Sequence, residues 1–173
     1  WVSHGDVNGS NFWHVEKGCD VQVLEGITVM QSGPVFGKIS AKIDWNTDEG
    51  KRVLREERDY YFYASTDKNR LTDMRVNLIA SDGDVTFNDT KEGGICSIRM
   101  NPVIDEQNGN GKMSNSEGME TEKECWGKPA KWNDYSGNLN GQDVGLAVMD
   151  HPSNFRHPTP WHIRGYGLYT ANP

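Results

Sequence analysis

Nothing in this chain of 173 residues resembles a membrane-spanning helix, which needs about 20 mainly apolar residues in a row. Hydrophobic residues make up 35% of the sequence and the mean hydropathy is -0.76, so no membrane span is expected. Cysteine is scarce: Cys19, Cys96 and Cys125 are odd in number and show no CxxC spacing. That argues against a zinc site and against a complete disulfide framework, and leaves three isolated small residues. Basic residues are outnumbered 18 to 25 by acidic ones, for a net charge of -7, and form no cluster. Nucleic acid is therefore not expected as a partner, because binding it draws on concentrated Lys and Arg. A 3.6-residue apolar period, internal repeats and low-complexity tracts are also missing.

Period-two alternation is what the sequence has in quantity. Every other residue is apolar in Ile39-Ser40-Ala41-Lys42-Ile43-Asp44-Trp45, and Met74-Arg75-Val76-Asn77-Leu78 repeats the pattern. Such stretches read as half-buried strands. Ile39, Ala41, Ile43, Val76 and Leu78 should face a core, and Lys42, Asp44, Arg75 and Asn77 solvent or another polar surface. Noisier candidates run over 20–24, 26–31, 53–65, 84–87, 94–100, 144–149 and 165–170, with Asp48-Glu49-Gly50-Lys51 and Ser81-Asp82-Gly83-Asp84 as turns between strands. Many short strands with Gly-rich turns predict an all-β fold, an antiparallel β-sandwich or barrel, forming one domain over 1–173. The polar, Gly-rich stretch from Pro102 to Asn140 reads as a long loop, functional or partly ordered.

One loop concentrates chemistry. Residues 150–162 (Asp150-His151-Pro152-Ser153-Asn154-Phe155-Arg156-His157-Pro158-Thr159-Pro160-Trp161-His162) hold three of five histidines and three of seven prolines. Proline fixes φ and pushes the preceding residue to extended geometry, so the segment must be a stiff, shaped loop. It follows the apolar run 144–149, which places imidazole, guanidinium and indole at the end of a buried strand, where binding sites collect. The competing reading is a structural loop whose His and Trp cap a core. Three histidines in thirteen residues suit proton transfer or metal binding, but their spacing is neither HxH nor HExxH and gives no metal geometry.

Further groups stand outside the loop. Gly93-Gly94 after Glu92 allows close backbone approach, and Arg99 should project away from Ile98 and Met100 to fork onto a carboxylate or sugar hydroxyls, or else pair with Glu92. Glu117 is the preferred carboxylate. Glu106, Asn108, Asn110-Gly111 and Glu117 approach calcium-loop spacing, but the flanking residues do not read as helices. Trp126, Trp132, Tyr135 and Trp161 offer aromatic faces of the kind that stack on pyranose rings, though core packing explains any one of them as well.

Beyond single constellations, the order of motifs carries a resemblance. His4-Gly5-Asp6-Val7-Asn8-Gly9 with Phe12-Trp13, Thr90-Lys91-Glu92-Gly93-Gly94 with Ile98-Arg99-Met100, Asn115-Ser116-Glu117-Gly118, Trp126-Gly127, Trp132-Asn133-Asp134-Tyr135-Ser136-Gly137, the 150–162 loop, Arg164-Gly165-Tyr166-Gly167-Leu168 and Ala171-Asn172-Pro173 follow one another along essentially the whole chain. This series resembles the bacterial family labelled "methane oxygenase PmoA", elsewhere carried as a domain of unknown function. The label sits badly with a chain that has no transmembrane run. Relatives extend in both directions, which implies an internal fragment, incomplete at both ends, of a periplasmic or secreted protein, with a cytoplasmic one left open. The resemblance also suggests the two-sheet supersandwich of galactose mutarotase, a fold-level analogy that raises a carbohydrate hypothesis.

The expectation is then a protein that acts on or binds carbohydrate or another small polar ligand. His151, His157, Glu117 and Arg99 would be the catalytic residues, and His4, Glu92, Trp126, Asn154, Trp161, His162 and Arg164 the substrate-binding ones. No metal or other cofactor is expected. If the protein is an enzyme, a histidine acid with Glu117 or a second histidine as base would run epimerase, lyase or glycoside hydrolase chemistry. The alternatives are a non-catalytic carbohydrate-binding module and, following the label, a metal-dependent oxidoreductase.

Overall fold

The structure is a computed structural model describing all residues of the chain except Val15, Lys17 and Gly18. It is all-β, as the alternation predicts, with strands β1 (Ser3–His4), β2 (Val21–Gln31), β3 (Phe36–Asn46), β4 (Arg52–Tyr63), β5 (Thr72–Ile79), β6 (Gly93–Gly94), β7 (Cys96–Arg99), β8 (Lys112–Asn115), β9 (Trp132–Leu139), β10 (Gln142–Met149), β11 (Trp161–Ile163) and β12 (Leu168–Ala171). Helical structure among the described residues is limited to a 3-10 turn at Pro102–Ile104 and a single turn, α1 (Glu122–Cys125). The chain clusters into two compact units, one of Trp1–Ser3 with Lys91–Pro173 and one of His4–Thr90.

The His4–Thr90 unit is built on a four-stranded antiparallel meander, β2-β3-β4-β5. Register sets Ile39, Ala41 and Ile43 opposite Tyr60, Arg58 and Glu56, and these opposite Met74, Val76 and Leu78. The apolar positions therefore share one face. Burial is deepest at one end, where Ile43, Trp45 and Leu54 are enclosed and Phe12 packs on Trp45 with ring centroids 4.9 Å apart. Glu56 is enclosed there too. It accepts from Trp45 Nε1 at 2.9 Å and from Arg58 Nε at 2.5 Å, which satisfies a charge that burial would otherwise make costly. On the opposite face Arg75 and Asn77 are exposed, but Asp44 is buried. Arg55 (2.7 Å) and Arg52 (3.0 Å) cover it, and the Arg55 hydrogen bond holds its carboxyl below the usual range. The two stretches 20–24 and 26–31 form one strand, with register shifts on either side of Gly26-Ile27. Residues 84–87 form no strand, because Phe87 makes only an isolated bridge to Val7.

The second unit carries two three-stranded antiparallel sheets, β10-β9-β8 and β11-β12-β7. Their inner faces meet through Met113, Tyr135 and Val148 on one side and Ile98, Trp161, Ile163 and Tyr169 on the other, a small two-layer core. Each fully buried apolar side chain contributes roughly 1.5–3 kcal/mol. The aromatic polar tips in this core are satisfied, whereas the side-chain amide of the buried Asn133 has no hydrogen-bond partner. Tyr169 donates its hydroxyl to the Asn133 carbonyl and accepts from Val148 N at 3.0 Å, while Trp161 Nε1 donates to the Ala130 carbonyl at 2.9 Å. Tyr135 donates to the Gly165 carbonyl and accepts from Glu106 N, and burial pushes its hydroxyl up to about 12. Close approach at Gly94 is confirmed: a Cβ there would lie 1.6 Å from Thr170 Oγ1.

The expected long loop from Pro102 to Asn140 is replaced by structure. It contains the 3-10 turn, β8, α1 and β9. Strand β9 reads Trp132-Asn133-Asp134-Tyr135-Ser136-Gly137-Asn138-Leu139, and two of its four inward positions, Asn133 and Gly137, are not apolar, which hides the alternation. Asn140 and Gly141, both with positive φ, close the β9–β10 hairpin in two residues.

Candidate functional site

Pairing of Asn115 with Asn133 and of Trp132 with Met149 brings the end of β8, the start of β9 and the end of β10 to one edge of the β10-β9-β8 sheet. Asn115 folds the turn after β8, its Oδ1 accepting from Glu117 N at 3.0 Å and Met119 N at 3.1 Å. This leaves the Glu117 side chain exposed. Ser116 Oγ donates to Glu117 Oε1 at 2.9 Å and accepts from Lys131 N at 2.8 Å, and the Lys131 carbonyl accepts from Asp150 N at 2.8 Å. Glu117 is thus tied to the start of the 150–162 loop through two residues.

Within the loop the organising group is Asp150, only 9% exposed. Its Oδ1 accepts from Asn154 Nδ2 at 2.7 Å, and its Oδ2 accepts from the buried Thr159 N at 2.9 Å and lies 2.7 Å from His157 Nδ1. A carboxylate that already accepts these bonds leaves Nδ1 of His157 as the donor. In its neutral form the ring is then the tautomer whose Nε2 carries a lone pair, and the side chain is part-exposed. An imidazole oriented by a carboxylate in this way can take up and return a proton. Asp150 was absent from the residues expected from sequence. The available signal was an acid at the mouth of a stiff loop, a short reach from its histidine.

Other expected residues distribute unevenly. His151 is exposed in the first turn of the same loop, where its Nδ1 accepts from Ser153 N at 3.1 Å, and Asn154 is a clamp on Asp150. Trp126, after α1, is 45% exposed. Trp161 is 1% exposed and packs on Tyr169 in the core. His162 is buried opposite Thr170 on β12, and burial lowers its pKa, opposed by the Glu92 carboxylate. Arg99 and Arg164 meet elsewhere. Their guanidiniums lie 5.0 and 5.6 Å from the Tyr166 ring, in the turn that leaves β11 at the end away from the loop, and Arg164 pairs with Glu122 at 2.9 Å. His4 belongs to the other unit, where its Nδ1 accepts from Asp6 N and its ring sits edge-on to Phe87.

The calcium-like spacing is used up internally. Glu106 accepts from Glu122 N, Asn110 exchanges hydrogen bonds with Asn138, and Asp105 accepts from the backbone and side chain of Asn108. Among the described residues no three His, Cys, Asp or Glu side chains are grouped to hold a metal ion. The three cysteines are free thiols, and burial pushes that of Cys125 up to about 11.

Fold and loop together define a β-sandwich-type protein with a carboxylate-oriented histidine at a sheet end. The chain belongs to a family of unknown function (DUF6807), whose model matches residues 1–173. No curated protein and no solved structure matches it.

Proposed function

We propose that this protein acts on or binds carbohydrate, with His157 as the proton-transferring group and Glu117 as the carboxylate on the same sheet end. The observation that carries the reading is the 2.7 Å contact between His157 Nδ1 and the buried Asp150, which orients a part-exposed imidazole on a stiff loop. Exposed Trp126 and Trp132 supply aromatic faces for the apolar sides of sugar rings, and the acidic chain without a basic cluster suits a neutral polyhydroxylated ligand. In this reading His157 Nε2 exchanges a proton with substrate, and epimerisation, elimination and hydrolysis all begin with such a transfer. The mutarotase-like supersandwich and a periplasmic or secreted setting belong to the same proposal. A non-catalytic carbohydrate-binding module is the second reading, favoured by the two exposed tryptophans.

A panel of glycosides incubated with the purified chain tests this. Turnover that His157→Gln abolishes without lowering the melting temperature supports catalysis. Binding without turnover, kept by His157→Gln and lost with Trp126→Ala or Trp132→Ala, supports the module. Failure to bind or convert any saccharide overturns both.

A further inference from the structure

The outer face of the β10-β9-β8 sheet is exposed but not level. Its centre is low. Strand β10 presents Gly145 and Ala147 outward, and Ser136 of β9 leans over Gly145 so closely that a Cβ there would lie 2.6 Å from Ser136 Cβ. The backbone of Gly145 does not have a left-handed φ, so the glycine answers to space and not to conformation. Taller polar side chains stand around this floor: Lys112 from β8, Asp134 and Asn138 from β9, and Asp143 from β10, bordering a shallow, open groove of about 720 Å³. Ser136 Oγ donates to Asp134 Oδ1 at 2.9 Å and Asn138 Nδ2 to Asp143 Oδ1 at 3.0 Å, which holds those walls in place. Trp132 shares the alternation of Asp134 and so projects from the same face. It is 38% exposed beside Met149, at the sheet end that bears Glu117 and the loop.

We infer that this groove is a binding cleft for a short neutral oligosaccharide running along β9 from the His157 end, with Trp132 as the platform for one ring and Asp134, Asn138, Asp143 and Lys112 as hydroxyl partners. The inference rests on the carbohydrate reading above and adds the size and path of the ligand. From Trp132 to Asn138 the strand covers about 20 Å, more than one sugar ring needs. Walls of both charge signs, with amide and hydroxyl groups between them, suit vicinal hydroxyls better than a polyanion or polycation. The low floor lets the apolar faces of successive rings lie against Gly145 and Ala147. A groove of this volume falls within the range of ligand sites.

The test is calorimetric titration of the chain with glucose, xylose and N-acetylglucosamine and with their β-1,4-linked di-, tri- and tetrasaccharides. At least one series should gain about tenfold or more in affinity from monosaccharide to trisaccharide, and Trp132→Ala should remove about tenfold of it. Ala147→Lys, which fills the floor from an exposed strand position, should abolish the gain with length while circular dichroism and melting stay unchanged. If a monosaccharide binds as tightly as its trisaccharide, or if Ala147→Lys leaves the length dependence intact, the groove is not the cleft although the carbohydrate reading survives. If no saccharide of any length binds, both are overturned.

Discussion

Removing the Asp150 carboxylate while keeping the loop sequence otherwise intact separates a packed connector from an organised site. Three donors converge on this group, from Asn154 Nδ2, His157 Nδ1 and Thr159 N, and the residue is buried. In Asp150→Ala the Thr159 amide has no route to water, because Thr159 is itself enclosed, and an orphaned buried amide costs about 1–3 kcal/mol. The Asn154 and His157 donors are nearer solvent and lose about 1 kcal/mol each. The expected total is about 3–5 kcal/mol, or roughly 10 °C in melting temperature for a chain of this size. His157→Gln removes a part-exposed ring with one hydrogen bond and should cost only about 1 kcal/mol. Urea titrations of both variants followed by tryptophan fluorescence give the comparison. An Asp150→Ala cost below about 1 kcal/mol, or equal costs for the two variants, would show that the carboxylate does not organise the loop.

Other outcomes follow from the same geometry. Burial lowers the pKa of His162 and of His4, so the folded protein keeps both neutral while the unfolded chain protonates them near 6.5. Their contribution is complete above that value and is lost as pH falls toward their folded values, so melting temperature should decline below about pH 6.5, and His162→Gln should flatten part of that decline. Glu56→Ala strands the Arg58 guanidinium and leaves Trp45 Nε1 without its acceptor, which should cost about 3–5 kcal/mol by denaturant melt. Gly94→Ala drives a methyl into Thr170 Oγ1 and should destabilise by about 1–3 kcal/mol, with partial recovery in the double variant that also carries Thr170→Ala.

The all-β class was legible because β3 and β5 alternate cleanly, and the faces assigned to Ile39, Ala41 and Ile43 follow from that period alone. Strand β9 was not, since Asn133 and Gly137 occupy inward positions beside Tyr135 and Leu139. The Asn140-Gly141 pair that closes its hairpin was the one local signal available there. For the site, proline content marked the loop and its histidines. Which histidine is oriented by a carboxylate depends on a contact seven residues back, to Asp150, that no period encodes. Trp161 and His162 were drawn into the site by proximity in sequence, whereas β11 buries both side chains, on opposite faces of the strand. Arg99 was placed by strand alternation and motif order and Arg164 by motif order, and the end of β7 and the β11–β12 turn bring the two to Tyr166.

Nitrogen-15 NMR of the histidine side chains, recorded while a saccharide that binds is titrated in, tests the central claim most directly. The account predicts that His157 is the Nδ1-protonated tautomer in the free protein and shifts at Nε2 as saccharide is added, while the buried His162 does not move. A His157 protonated on Nε2, or saccharide-dependent shifts at His162 with none at His157, would contradict it.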